Sequence, residues 1–398
     1  MALKNNTWKV NQWYGQAVAG NISYLAPDDP NKLFVWGGND YGQLGLNDTA
    51  QYSSPTQVPG EWDKIWRHSS ATSYMTMAAK TAGSLWVWGN NTIGQLGQND
   101  TVRRSSPVQI PGTTWSKVCT ASQWSMAIKT DGTMWAWGDG EYGELGQNQS
   151  NSGGFDGTSS PVQIPSKAGT TWTYVSAGEN GANAINSAGE WYSWGRYYYG
   201  APFNATGNDN RSSPTQIPGT DWAFVDYSSS CGAAIKTNGT LWTWGANNNG
   251  ALGINEQGDF PGMATSRSSP TQVPGTTWSK CYCDSDAMYG FKTDGSLWVW
   301  GANASGQLGL NQGNVKYSSP VQLPGTWSNS YMDFSVANSP LAIKSDGSLW
   351  SWGKNQAGVN GQNDETQRSS PTQIGSATHW DVCAVSGGPS PHASALTT

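Results

Sequence analysis

The sequence predicts an all-β protein, a seven-bladed β-propeller with four antiparallel strands per blade. Three observations carry that expectation. A tryptophan-rich phrase, seen at Leu85-Trp-Val-Trp88-Gly-Asn-Asn-Thr-Ile-Gly94-Gln-Leu-Gly97, returns seven times, with Trp-Gly pairs beginning at Trp36, Trp88, Trp137, Trp194, Trp244, Trp300 and Trp352. Subtracting neighbouring positions gives steps of 52, 49, 57, 50, 56 and 52 residues, a period that belongs to propeller repeats. A second phrase, Ser-Ser-Pro followed by Val-Gln or Thr-Gln, keeps step with the first at Pro55, Pro107, Pro161, Pro214, Pro270, Pro320 and Pro371. Finally, no window sustains a 3.6-residue period, and glycine and proline interrupt every run, which argues against helices.

The unit from Thr114 to Pro165 shows how each strand is read. Trp115–Ala121 is the first strand and Ser125–Lys129 the second. Asp131-Gly132 then supplies the left-handed positions of a tight hairpin turn. The same turn recurs at Ala82-Gly83, Ala188-Gly189, Asn238-Gly239, Asp294-Gly295 and Asp346-Gly347, while the first repeat has Asp28-Asp29-Pro30-Asn31 instead. In the third strand, Thr133–Trp137, the two-residue period puts Trp135 and Trp137 on one face and Met134 and Ala136 on the other. Both faces are apolar, so both must be covered, as when a small sheet is sandwiched between two others. The fourth strand, Pro161–Ile164, starts with a residue that has no backbone donor and is expected at the outer edge of the sheet. Four such strands repeated around a ring make a propeller.

Composition narrows the function. Repeats override the length prior, so residues 1–398 read as one domain. Charged residues are only 12% of the chain, whereas Gly (50) and Trp (24) are over-used, so packed aromatics and turns must do the work of ion pairs. A net charge of −6 with scattered Lys and Arg argues against nucleic acid, which needs a basic stripe. The opening Met1-Ala-Leu-Lys4 leads into no apolar core of a secretory signal. No apolar run approaches the roughly 20 residues of a bilayer-spanning helix. A soluble protein made in a cytoplasm, without membrane insertion, is expected. Five cysteines, an odd number spread over different repeats, are expected as buried free thiols, and the spacing of Cys281 and Cys283 is not that of a zinc pair.

At this point the residues resemble the regulator of chromosome condensation repeat family, whose propeller has seven blades of about fifty residues. Gly83 to Gly97 matches its Gly-x-Leu/Met-Trp/Tyr-x-Trp-Gly strand and the Asn-x-x-Gly-Gln-Leu-Gly that follows, and the likeness covers nearly the whole chain. The combination of Trp-Gly, Ser-Ser-Pro-x-Gln, many Asn and few charges looks like the bacterial and bacteriophage branch. The chain departs from the pattern in three places. The fourth repeat replaces Gln-Leu-Gly with Arg196-Tyr-Tyr-Tyr-Gly200-Ala-Pro202, and the seventh has Val359-Asn360-Gly361. First-strand tryptophans number eight (Trp8, Trp62, Trp115, Trp172, Trp222, Trp278, Trp327, Trp380) against seven Trp-Gly strands. Half a repeat is left over. Either residues 380–398 close the first blade, freeing residues 1–26 as an arm, or they stay outside the ring as an edge for another protein; the first arrangement is favoured.

Candidate site residues follow from the expected topology. Loops joining first to second strands are expected around one mouth of the central channel. They bring Tyr74, Gln123, Trp124, Glu179, Asn180, Asp284, Asp286 and Asn338, a mixture of aromatics, acids and amides suited to a glycan or a peptide. Asp284 and Asp286 with Glu179 are oxygen donors of the kind Ca²⁺ takes, yet no DxDxDG loop supports them. The loops Gln147–Gly157 and Asn255–Arg267 are the longest between third and fourth strands, and the latter carries Phe260 and Met263 as a candidate outer contact. His68, His379 and His392 are scattered, so no metal, cofactor or catalytic cluster is expected. Trp66-Arg67-His68 resembles a motif of the plant ultraviolet-B photoreceptor in the same family, but occurs once. The expected function is a non-enzymatic binding or structural propeller, most plausibly a bacteriophage virion component (tail, fibre or capsid-associated) with protein partners. The alternatives are a carbohydrate-binding surface adhesin and a guanine-nucleotide exchange factor, the latter an activity that the resemblance implies.

Overall fold

The computed structural model describes residues 30–66, 73–149, 157–196, 210–228, 230–257, 265–284, 286–328, 333–335, 338–387 and 390–397. These form seven four-stranded antiparallel sheets. Numbered by their Trp-Gly strands, blades 1 to 7 centre on Leu33–Gly37, Leu85–Gly89, Met134–Gly138, Trp191–Arg196, Leu241–Gly245, Leu297–Gly301 and Leu349–Gly353. Blades 2 to 7 each run from an inner first strand to an outer fourth in chain order.

Blade 1 is assembled from both ends of the described chain. Its strand order is Tyr52–Val58, Leu33–Gly37, His392–Thr397, Trp380–Val385. Leu33 pairs with Leu396 and Gly37 with His392. The C-terminal half-repeat therefore supplies the two inner strands of the first blade and closes the ring; residues 1–26, Trp8 among them, lie outside the described residues.

Strand three of each blade is the buried centre of its sheet. Leu85, Val87 and Trp88 are fully buried, as are Met134, Ala136 and Trp137. The fourth strand is the outer edge, yet proline does not begin it. In blade 3 it spans Thr158–Ile164, and its register with the third strand shifts between Thr158 and Val162. Pro161 sits inside that irregularity, where a residue without an N–H interrupts no ladder bond.

Two repeated phrases hold neighbouring blades together. The indole Nε1 of Trp88 donates to the carbonyl of Gln43 at 2.9 Å, that of Trp137 to Gln95 at 2.9 Å, and that of Trp352 to Gln307 at 2.7 Å. In each case the Trp-Gly strand of one blade grips the Gly-Gln-Leu-Gly loop of the blade before it. The loop also meets the next blade's Ser-Ser-Pro: Asn99 N donates to Ser159 O at 2.7 Å, and Ser160 Oγ donates to Asn99 Oδ1 at 3.2 Å. Asn99 holds a left-handed φ of 60° to do so, a conformation asparagine tolerates better than most residues. The same joint closes blade 7 onto blade 1. Trp36 Nε1 reaches Val359 O at 2.7 Å, and Asn363 N reaches Ser53 O at 3.0 Å. The altered Val359-Asn360-Gly361 keeps the joint because backbone carbonyls and amides carry it.

Candidate functional site

First strands line the central channel, and the loops joining first to second strands surround one of its mouths. Strands alternate in direction, so the loops joining third to fourth strands lie at this same end, and the hairpin turns at the other. The residue just before each second strand is equivalent from blade to blade: Tyr74, Gln123, Asn180, Ser230, Asp286 and Asn338. Each turns its carbonyl to the same task. Tyr74 O accepts from Asn90 N at 2.8 Å, Gln123 O from Asp139 N at 2.9 Å, Asn180 O from Arg196 N at 2.7 Å, and Asp286 O from Ala302 N at 2.7 Å. The backbone is engaged within the blade, and what remains for a partner is side chain.

Those side chains differ in availability. Gln123 is exposed, and Tyr74, Glu179, Asn180, Asp286 and Asn338 are half-buried. Tyr74 stacks on Tyr41 of blade 1 with ring centroids 4.6 Å apart, and the guanidinium of Arg103 lies 4.8 Å over Tyr41. Burial, with the charges of Tyr41 and Asp40 adding to it, raises the Tyr74 phenol above its ordinary range. A second such pair joins blades 3 and 4, with Arg196 4.6 Å over Tyr142. Asn338 Oδ1 accepts from Gln307 Nε2 at 2.9 Å. Burial raises the Asp286 carboxyl, against a hydrogen bond from Asn249 and the charge of Lys316.

Two expected site residues are corrected. Trp124 begins the second strand of blade 3, is 1% exposed, and donates Nε1 to Glu179 O at 3.2 Å. It belongs to the packing between blades 3 and 4, because the chain re-enters the sheet immediately after Gln123. Asp284 is fully buried, and its carbonyl accepts from Ser228 Oγ at 3.1 Å. Among the described residues no three His, Cys, Asp or Glu side chains gather into a group that could hold a metal. Phe260 and Met263 lie outside the described residues, as do Arg67 and His68. His392 is fully buried, its ring nitrogens facing the hydroxyls of Thr76 and Ser386.

The central channel was expected from the sequence, but none of the side chains that line it was named as a site. It is a cavity of about 560 Å³ whose lining among the described residues comes from the first-strand segments of blades 1 to 6. Tyr174, Phe224 and Tyr282 form an aromatic arc across blades 4, 5 and 6, with ring centroids 5.3 Å and 5.9 Å apart. Lys117 of blade 3 and Lys280 of blade 6 stand at its two ends. The signal was present in the sequence: Lys117, Tyr174, Phe224 and Lys280 each lie two residues after a first-strand tryptophan.

A family profile, the regulator of chromosome condensation (RCC1) repeat, matches residues 31–79, 82–128, 131–185, 238–283, 294–338 and 346–390, which is well over half of the chain. The chain belongs to this family. The unmatched gap between residues 185 and 238 holds the repeat that has lost its Gln-Leu-Gly. Among its relatives, the ultraviolet-B receptor UVR8 of Arabidopsis thaliana is 31% identical over 104 residues, 24% of this chain and 22% of that one. The RCC2 homolog of Danio rerio is 33% identical over 90 residues, 22% of this chain and 18% of the relative. The matched stretches thus span less than a quarter of either relative. Among solved structures, human WBSCR16 superposes with a TM-score of 0.77 at 18% identity over 93% of this chain and 99% of its own. Prp20p of Saccharomyces cerevisiae gives 0.76 at 17% identity over 94% and 93%. At that identity the likeness concerns the fold. In this RCC1-repeat propeller the repeated residues are consumed by the joints between blades, and the unrepeated ones collect on the loop-bearing end and in the channel.

Proposed function

We propose that this RCC1-repeat protein is a non-catalytic propeller that holds other proteins on its loop-bearing end, and that it does so as a structural component of a bacteriophage virion. The observation that carries the binding reading is the division of labour between residues. Repeated Trp, Ser and Asn side chains and the backbone of the Gly-Gln-Leu-Gly loops are tied into the blade joints. Tyr41, Tyr74 and Arg103, or Tyr142 and Arg196, differ from repeat to repeat and stack at one end. A rigid scaffold presenting variable aromatic and guanidinium groups is how contact surfaces are built. The structures of Prp20p, described as binding Gsp1p and histones and as bound to Kap60, support protein partners for this fold. The virion assignment rests on the flavour of the repeats, rich in Asn and Trp and poor in charge. Fold alone does not fix function.

Mass spectrometry of purified particles from the source of this gene tests the assignment. A fixed copy number relative to known particle proteins is the expected result. Absence from particles, with the protein recovered free in the lysate, overturns the virion role and leaves the binding reading to cross-linking from the Tyr41, Tyr74 and Arg103 patch.

A further inference from the structure

We propose that the central channel is a binding site for a small organic carboxylate with a flat apolar body. This goes beyond the protein-binding role assigned to the loop-bearing end and does not depend on it. The wall formed by blades 3 to 6 presents, in order around the ring, Lys117, Tyr174, Phe224 and then Lys280 with Tyr282. The three rings are tilted or edge-on to one another, at interplanar angles of 51° and 89°. A flat ligand therefore meets both ring faces and ring edges, the two geometries aromatic contacts favour. Lys117 Nζ lies 5.9 Å from the Tyr174 centroid and donates to the carbonyl of Thr173.

Among the described residues, charge in the channel is unevenly placed. The facing wall, from blades 1 and 2, brings Asp381 and the ion pair of Asp63 with Lys64, 3.7 Å apart, all three lining the cavity. Asp226 is taken up by Ser176 Oγ at 3.1 Å and Cys283 N at 2.7 Å. Lys64 offsets Asp63, so a carboxylate entering this space is repelled mainly by Asp381 and drawn to the lysines at the ends of the aromatic arc. Burial lowers both Lys117 and Lys280 below the ordinary lysine range and raises Asp381 above that of aspartate. An anion beside the ammonium groups offsets their desolvation. The volume of about 560 Å³ lies within the range of small-molecule pockets.

The test uses the full chain and three naphthalene probes of one shape: 2-naphthoate, 2-naphthalenemethanol and 2-naphthylmethylammonium. Titration calorimetry is expected to show one naphthoate per chain, bound at least about tenfold more tightly than the alcohol, as a charge-assisted contact requires. The ammonium probe is expected to bind no better than the alcohol. The double variant Lys117→Met/Lys280→Met is expected to lose that preference while keeping its unfolding temperature, and Phe224→Ala to weaken the acid and the alcohol alike. Naphthoate binding no tighter than the alcohol, or failing at millimolar concentration, overturns the proposal. So does a folded Lys117→Met/Lys280→Met chain that retains the preference. The comparison of probes on the unaltered chain stands even if a variant fails to fold.

Discussion

The two tryptophans of each Trp-x-Trp-Gly strand have different surroundings, and the difference is measurable. Trp137 is fully buried and hydrogen-bonded to the preceding blade, whereas Trp135 is half-buried, with Lys129 Nζ 4.5 Å over its ring. Trp137→Ala should therefore cost roughly 3–5 kcal/mol, and Trp135→Ala clearly less, as read from urea unfolding. Equal losses would mean that the neighbouring blade contributes nothing to Trp137. Glu144 supplies a second test. It stands where other repeats have Gln43, Gln95 and Gln307, is 1% exposed, and accepts from Tyr142 N at 2.9 Å. Burial, reinforced by Asp139 and Glu141, pushes its carboxyl up to about 8 from an ordinary 4.5. The folded state then holds the proton more tightly than the unfolded one. Its stability contribution is complete below about 4.5 and is lost as pH rises through about 8. Glu144→Gln should remove this dependence, so that the variant gains on the order of a few kcal/mol over the parent at pH 9 and little at pH 4. Parallel stability curves for the two proteins would refute the assignment.

At the level of the element, the decisive contact lies between the two repeated phrases. Gly94, at a φ of +78°, leaves its missing side chain pointing at the Ser159 backbone, where a Cβ would come within 2.6 Å of Cα. Gly94→Ala should cost roughly 2–5 kcal/mol from strain and overlap together, measured by the shift in urea midpoint. A loss below about 0.5 kcal/mol would show that the joint between blades 2 and 3 opens freely. Hairpins carry their own logic. Trp135 Nε1 donates to Thr133 Oγ1, which donates to Asp131 Oδ1 at 2.7 Å. The relay recurs through Trp298, Ser296 and Asp294 and through Trp350, Ser348 and Asp346. Lysines at or just past the ends of the second strands cover the same indoles: Lys80, Lys129, Lys236, Lys292 and Lys344 each lie over two tryptophans. Scattered as these lysines look in the chain, they are a structural part of the repeat.

For the whole molecule, stability rests on closure. Deleting residues 380–398 removes the partner of Leu33–Gly37 and exposes a strand edge in blade 1. The truncated chain is expected to lose its cooperative thermal transition and to self-associate. Circular dichroism and light scattering should show both, and a peptide spanning Trp380–Thr397 should restore the transition when added in excess. A truncated chain that melts like the parent would mean that the ring is held without this blade.

The periods of about fifty and of two residues were enough to establish the propeller, the four strands per blade, the hairpin turns and the buried Trp-Gly strand, because each is a local pattern repeated along the chain, the turn in six repeats and the Trp-Gly strand in seven. The fourth strand was legible only as an edge. Its start at Thr158 and the irregularity around Pro161 depend on pairing with the third strand, which no residue in the phrase announces. Trp124 was read as a loop residue for a related reason: the second strand begins at Trp124 and not at Ser125, so a side chain placed for display falls into the sheet. Half a repeat was visibly left over, but its placement beside Leu33–Gly37 is a contact across more than 350 residues, and only the closed ring makes it. The lining of the channel is the furthest from the sequence. Lys117, Tyr174, Phe224 and Lys280 occupy one position in four repeats, and they face a common space only because tertiary packing turns a linear period into a circle.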